Sequence, residues 1–178
     1  FRDTLETDLT ISLNQPDEMA MDAVEAVARG YKTLKIKLGK DPQLDLQRLE
    51  VVADAVGGQA KFRLDANQGW TPKEAVCILR KIQDKGFAIE FVEQPVAAHD
   101  FVGLKHVTDN TEVAIMADES LFSPADALKL LQMRAVDLLN IKLMKCGGIN
   151  QALKICTLAE IYGVDCMLGC MLESRLSV

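Results

Sequence analysis

Short apolar runs alternate with amphipathic helical segments along this chain, and no long unstructured connection separates them. Few folds accommodate that pattern. A strand, a helix and a second strand make a right-handed crossover, so successive strands lie parallel in one sheet with helices outside it. The expected strands are 9–13, 33–39, 61–66, 88–93, 113–117, 136–142 and 164–168. The expected helices are about 17–29, 41–56, 71–85, 101–108, 123–133 and 150–162, with a seventh beginning before Val178. Pro16, Pro72 and Pro124 sit at helix starts, and Gly30, Gly57 and Gly86 sit at helix ends. Thr71-Pro72-Lys73-Glu74 reads as a capping box. The 178 residues are 49% hydrophobic, enough for one sizeable core.

The second strand, TLKIKLG at 33–39, carries two lysines in an otherwise apolar run. Strand side chains alternate, so Lys35 and Lys37 share one face and Leu34, Ile36 and Leu38 share the other. Two ammonium groups on a packed strand need carboxylates or solvent to meet them. The chain supplies carboxylates at regular intervals. Lys37, Asp65, Glu93, Asp118, Lys142 and the 170–173 region fall at the C-terminal ends of successive strands, in steps of 28, 28, 25, 24 and 28 residues. An open sheet would string these residues along an edge, whereas a barrel brings its strand ends to one mouth. No Gly-x-Gly-x-x-Gly follows a strand and there is no P-loop lysine, so nucleotide-binding open sheets lose ground. The expected fold is therefore a TIM-type β/α barrel, incomplete at about seven strand–helix units, with residues 1–178 as one partial barrel catalytic domain. Complete barrels run to about 250 residues.

Asp65, Glu93 and Asp118 on neighbouring strands make an all-oxygen donor set, which suits Mg²⁺. Singly, each carboxylate would be read as a helix cap or a lysine partner. Three at unit spacing, flanked by lysines on both sides, are read as metal ligands. Lys37 precedes them by one strand and Lys142 follows by one, and in a closed ring the two lysines oppose one another. Lysine serves as a base only when its pKa falls toward neutrality. Burial, the like charge of Lys35 and a bound cation all push that way, while the carboxylates oppose it. Lys142 lies among Leu138, Leu139, Ile141, Leu143 and Met144, which argues against a surface position.

Twenty basic against 26 acidic residues leave a formal net charge of −6, which disfavours a general nucleic-acid binder. No apolar run approaches a membrane span, and the mixed, charged 1–8 stretch is not a signal peptide, so a cytoplasmic protein is expected. Cys77, Cys146, Cys156, Cys166 and Cys170 are odd in number and irregular in spacing, and are expected to be reduced and mostly buried. Cys166 and Cys170 lack a second pair, and His99 and His106 lie far off in sequence, which sets zinc aside. Trp70 is expected to pack in the core and Lys145 to be solvated.

Lys-Ile-Lys at 35–37, LDANQGW at 64–70, EQP at 93–95, ADES at 117–120 and NIKLMKCGGI at 140–149 resemble the enolase superfamily, muconate-lactonising subgroup. Within it the chain is most similar to dipeptide epimerases of the L-Ala-D/L-Glu kind. The resemblance implies an isomerase in which Asp65, Glu93 and Asp118 hold Mg²⁺ and Mg²⁺ holds a substrate carboxylate. Lys37 and Lys142 would work on opposite faces of the α-carbon, with Lys35 neutralising the developing charge. Asn67 and Glu173 are candidate substrate contacts, Glu173 reading equally as an acid at a helix N-terminus. The substrate would be a small carboxylate, a dipeptide such as L-Ala-L-Glu, and the full-length parent a homo-oligomer. Muconate cycloisomerases, o-succinylbenzoate synthases and N-acylamino acid racemases share the same lysines and triad, and stay open as alternatives. A non-catalytic barrel fragment is a further alternative. The family also carries a capping domain and an eighth strand with an Asp-x-Asp, neither of which lies within these residues, so the 178 residues alone are expected to be inactive.

Overall fold

The computed structural model describes residues 6–171, 173 and 174. The strands are β1 (Leu9–Ile11), β2 (Thr33–Lys37), β3 (Lys61–Asp65), β4 (Ile89–Glu93), β5 (Ile115–Ala117), β6 (Leu138–Lys142) and β7 (Asp165–Gly169). The helices are α1 (Pro16–Ala28), α2 (Pro42–Val56), α3 (Pro72–Asp84), α4 (Phe101–Asn110), α5 (Pro124–Met133), α6 (Leu143–Cys146) and α7 (Ile149–Tyr162). All seven strands are parallel and pair in sequence order, β1 to β7. The sheet curls into an incomplete β/α barrel. A cavity of about 440 Å³ inside the curl is lined by residues from both ends of the sheet, Thr10 and Met167 among them.

The sequence places these elements for local physical reasons. Four helices start with proline at their first positions, where a missing N–H removes no helical bond. Asp41 caps α2 through Gln43 and Leu44, and Ser123 caps α5 through Asp126. The Thr71–Glu74 capping box forms in both directions. Leu34, Ile36, Leu64, Val92, Leu139 and Ile141 are all but fully buried in the layer between sheet and helices. Each such side chain contributes about 1.5–3 kcal/mol. The residues between them on β2, β3 and β4, Lys35, Lys37, Asp65 and Glu93, face the inside of the curl.

Register sets the site. Lys37 lies level with Asp65, Asp65 with Glu93, and Glu93 with Met116. The turns after β2 and β3 cross in close contact. A Cβ on Gly69 would stand 1.7 Å from the Gly39 carbonyl oxygen, and one on Gly39 would stand 1.8 Å from the Ala66 carbonyl oxygen. Gly39 also sits at φ +97°, where a side chain is strained. Gly69→Ala in the full chain is therefore expected to lower stability by about 3 kcal/mol, through forced backbone displacement. Urea denaturation checks this, and an unchanged midpoint contradicts it.

Three expectations need correction. α6 interposes one helical turn between β6 and the Gly147-Gly148 break, where a direct break from the strand was expected. Lys145, expected in solvent, is half-buried, with its side chain turned onto Asp118 by that turn. Of the five free cysteines only Cys146 is buried, because Cys77 and Cys156 lie on exposed helix faces and Cys166 and Cys170 on or just after the last strand. Trp70 packs in the core as expected, its indole N–H donating to Asp45 Oδ2 at 3.1 Å. The expected seventh helix lies largely outside the described residues.

Candidate active site

The strand-end carboxylates are buried: Asp65 and Glu93 completely, Asp118 almost so. Burying three anions together is unfavourable without cations, and four lysines provide them. Lys35 Nζ bridges Asp65 Oδ2 at 2.7 Å and Glu93 Oε2 at 2.5 Å. Lys37 Nζ donates to Asp65 Oδ2 at 2.7 Å and to Asn67 Oδ1 at 2.8 Å. Lys142 Nζ donates to Asp118 Oδ2 at 2.6 Å. Lys145 Nζ reaches Asp118 Oδ1 at 2.5 Å, the Asp118 carbonyl oxygen, and the Asn140 carbonyl oxygen at 3.3 Å. Asn140 Nδ2 donates to Glu93 Oε1 at 2.8 Å. The contacts form one continuous row from Lys37 to Lys142, with the carboxylates between the two lysines.

The electrostatics follow from this crowding. Burial and the neighbouring Asp65 charge push the Glu93 carboxyl up to about 7, with Lys35 opposing. Burial works against the Lys35 charge, but Glu93 and Asp65 outweigh it and hold the ammonium above its ordinary value. Burial also works against the Asp118 charge, and Lys145 and Lys142 outweigh it, so Asp118 lies below the usual carboxylate range. Lys145 is lowered by burial, Asp118 only partly compensating.

The Glu93 shift has a stability consequence. An unfolded glutamate loses its proton near 4.5, whereas the folded metal-free protein keeps it to about 7. Between those values the folded state holds more protons, so stability falls as pH rises and levels off above 7. The contribution is on the order of 3 kcal/mol. Metal-free Glu93→Gln is expected to flatten this slope between pH 4.5 and 7. Chemical denaturation at several pH values checks it, and a slope equal to the parent's contradicts it.

Among the described residues, no three His, Cys, Asp or Glu side chains are gathered closely enough to hold a cation as they stand. The lysines occupy the space between the carboxylates. The donors nevertheless fit a hard divalent ion: they are all oxygens, they are buried, and both Asp65 and Asp118 repel the Glu93 charge between them. A cation among them relieves that repulsion.

Of the other expected site residues, Asn67 is joined to the row. Its Oδ1 holds Lys37, its backbone N–H donates to Asp65 Oδ1 at 3.0 Å, and its Nδ2 donates to Glu119. Glu173 is not joined to the row: its carboxylate accepts from the Met171 N–H, with no contact to the lysines or carboxylates among the described residues.

Three participants were not anticipated: Lys145, Asn140 and Gln94. Gln94, at φ +38° and fully buried, accepts from the N–H groups of Asp118 and Ser120 and fixes the turn that carries Asp118. A signal existed for Asn140. It is an amide inside the apolar run LLNIK, two residues before Lys142 and so on the same strand face.

The sequence profile described as "Enolase C-terminal domain-like" matches residues 18–178. The L-Ala-D/L-Glu epimerase of Clostridium acetobutylicum is 60% identical over all of this chain and 50% of its own length. The substrate-liganded structure of the L-Ala-D/L-Glu epimerase from Bacillus subtilis superposes with a TM-score of 0.97 at 55% identity, over 99% of this chain and 49% of that one. The dipeptide epimerase from Enterococcus faecalis, complexed with Mg and L-Leu-L-Tyr, gives 0.92 at 49% identity, over 96% and 48%. The chain spans about half the length of the curated relatives it matches.

Proposed function

This chain belongs to the enolase C-terminal domain-like family, and from that premise we propose that the full protein is a Mg²⁺-dependent epimerase of dipeptides such as L-Ala-L-Glu. The observation that carries the reading is the placement of Lys37 and Lys142 at the two ends of a buried row of three carboxylates. Residues 1–178 supply the catalytic barrel in this proposal, and Asp65, Glu93 and Asp118 hold the metal. Mg complexes of similar dipeptide epimerases support that assignment.

When bound, Mg²⁺ supplies Lewis-acid withdrawal of charge from the substrate carboxylate. Lys35 adds a fixed positive charge where oxygen charge develops as the α-proton leaves. A neutral Lys37 takes the α-proton from one face, and the Lys142 ammonium returns a proton to the other. One turnover leaves Lys37 protonated and Lys142 neutral, and solvent restores both. The reverse reaction exchanges their roles. Asn67 orients Lys37 through its Oδ1, beside the substrate contact proposed for it, and Glu173 remains a proposed substrate contact. A cytoplasmic, homo-oligomeric protein that does not bind nucleic acid completes the proposal. The net charge of −6 supports the last point. No helix among the described residues is long and apolar enough to cross a membrane.

A substrate panel tests the reading. L-Ala-L-Glu and an N-acylamino acid are offered to the full chain with Mg²⁺, and optical rotation is followed. The dipeptide is expected to give kcat/KM at least about tenfold higher, because a site built for one polar far end leaves groups unpaired with another. The reverse preference moves the substrate to the N-acylamino acid class.

A further inference from the structure

We propose that Asn140 is a positioning residue for Glu93, and that Gly169 makes the space in which it works. The inference rests on the cation-site reading above and deepens it.

Glu93 has two carboxylate oxygens with different partners. Oε2 takes the Lys35 ammonium, and Oε1 takes the Asn140 Nδ2. The other two carboxylates also divide their oxygens between different partners. Asp65 gives Oδ1 to the Asn67 N–H and Oδ2 to the lysines, and Asp118 gives Oδ1 to Lys145 and Oδ2 to Lys142. In Asp65 one oxygen is tied to a backbone amide and the other meets lysines, whereas both Asp118 oxygens meet lysines. For Glu93 the second partner is a neutral side-chain amide. Asn140 is 1% exposed, so water does not substitute for it.

The amide has one workable orientation. Turned over, its oxygen would face the ionised, cation-binding Glu93 carboxylate, two acceptors in contact. As it stands, Oδ1 has no hydrogen-bond partner among the described residues and lies against the end of β7. A Cβ on Gly169 would stand 2.4 Å from that oxygen. Any side chain at 169 therefore displaces the amide. A buried, half-satisfied asparagine is unfavourable for folding alone. Its position is accounted for by what it does to Glu93: with Oε1 occupied, the carboxylate presents Oε2 alone.

Outer-shell partners of metal ligands typically change affinity 10–100-fold when removed. The test is Mg²⁺ titration calorimetry on the substrate-free full chain, alongside its metal-free melting temperature. Asn140→Leu and Gly169→Ala are each expected to weaken Mg²⁺ binding 10–100-fold. The double variant is expected to be little weaker than either, because both remove the same contact. A structural role alone would lower the melting temperature and leave the dissociation constant in place. If Asn140→Leu fails to fold, Gly169→Ala reads the same contact. A parent that binds and single variants within twofold of it overturn the positioning role alone. Fully additive losses overturn the link between Asn140 and Gly169. A parent that takes up no Mg²⁺ overturns the cation reading, and the positioning role with it.

Discussion

Lys37→Ala and Lys142→Ala in the full chain are each expected to lower epimerisation by about 10³-fold or more, yet to leave exchange of the α-proton from one stereoisomer. Inversion at carbon needs a base on each face, and abstraction from one face needs only one. The two variants should therefore retain exchange from opposite stereoisomers. Folding should survive. Asp65 keeps Lys35 when Lys37 is removed, and Asp118 keeps Lys145 when Lys142 is removed. Lys37 is partly exposed, which limits the stability lost with its ion pair to about 1 kcal/mol. Proton NMR in D₂O on each pure stereoisomer reads the outcome. If either variant exchanges both stereoisomers, the two-base assignment is wrong.

The second large effect concerns the carboxylates. Asp65→Asn and Glu93→Gln are expected to weaken Mg²⁺ binding by at least tenfold, because an amide lacks the anionic charge a hard cation prefers. Activity at fixed Mg²⁺ should fall at least as far. Asp65→Asn also removes a buried partner of Lys35 and Lys37, and breaking such a pair lowers stability by about 3–5 kcal/mol, whereas Glu93→Gln removes a charge that burial and Asp65 already disfavour and leaves Lys35 on Asp65. Melting without metal separates that loss from the loss of affinity. Calorimetry giving the parent's Mg²⁺ affinity in both variants would remove the metal assignment.

Much of this architecture is legible in the sequence because its signals are local. Pro16, Pro72 and Pro124 mark helix starts, Thr71–Glu74 closes a capping box, and period-two alternation in TLKIK separates Leu34 and Ile36 from Lys35 and Lys37. Unit spacing then places Lys37, Asp65, Glu93, Asp118 and Lys142 at successive strand ends, and the structure joins all five through one hydrogen-bonded row. What escapes the sequence is set by tertiary contact. Lys145 looks like a surface lysine until α6 turns it onto Asp118. Asn140 and Gln94 matter through a single carboxylate oxygen and two backbone N–H groups, partners 24 to 47 residues away. Cysteine's average preference for burial misleads at Cys77, Cys156, Cys166 and Cys170, because their elements leave those positions uncovered. Glu173 has the right spacing for the mouth, but its carboxylate turns back to the Met171 N–H.

Lysines at the two ends of the carboxylate row that move a proton across an α-carbon leave an isotopic signature in the substrate. The full chain is incubated with Mg²⁺ in D₂O, once with pure L-Ala-L-Glu and once with pure L-Ala-D-Glu, and proton NMR follows the glutamyl α-position. Deuterium is predicted to enter that position from either starting isomer as the other isomer appears. Exchange from a single isomer with no epimer formed, or a product that has lost water, would contradict the account and indicate one-base elimination instead.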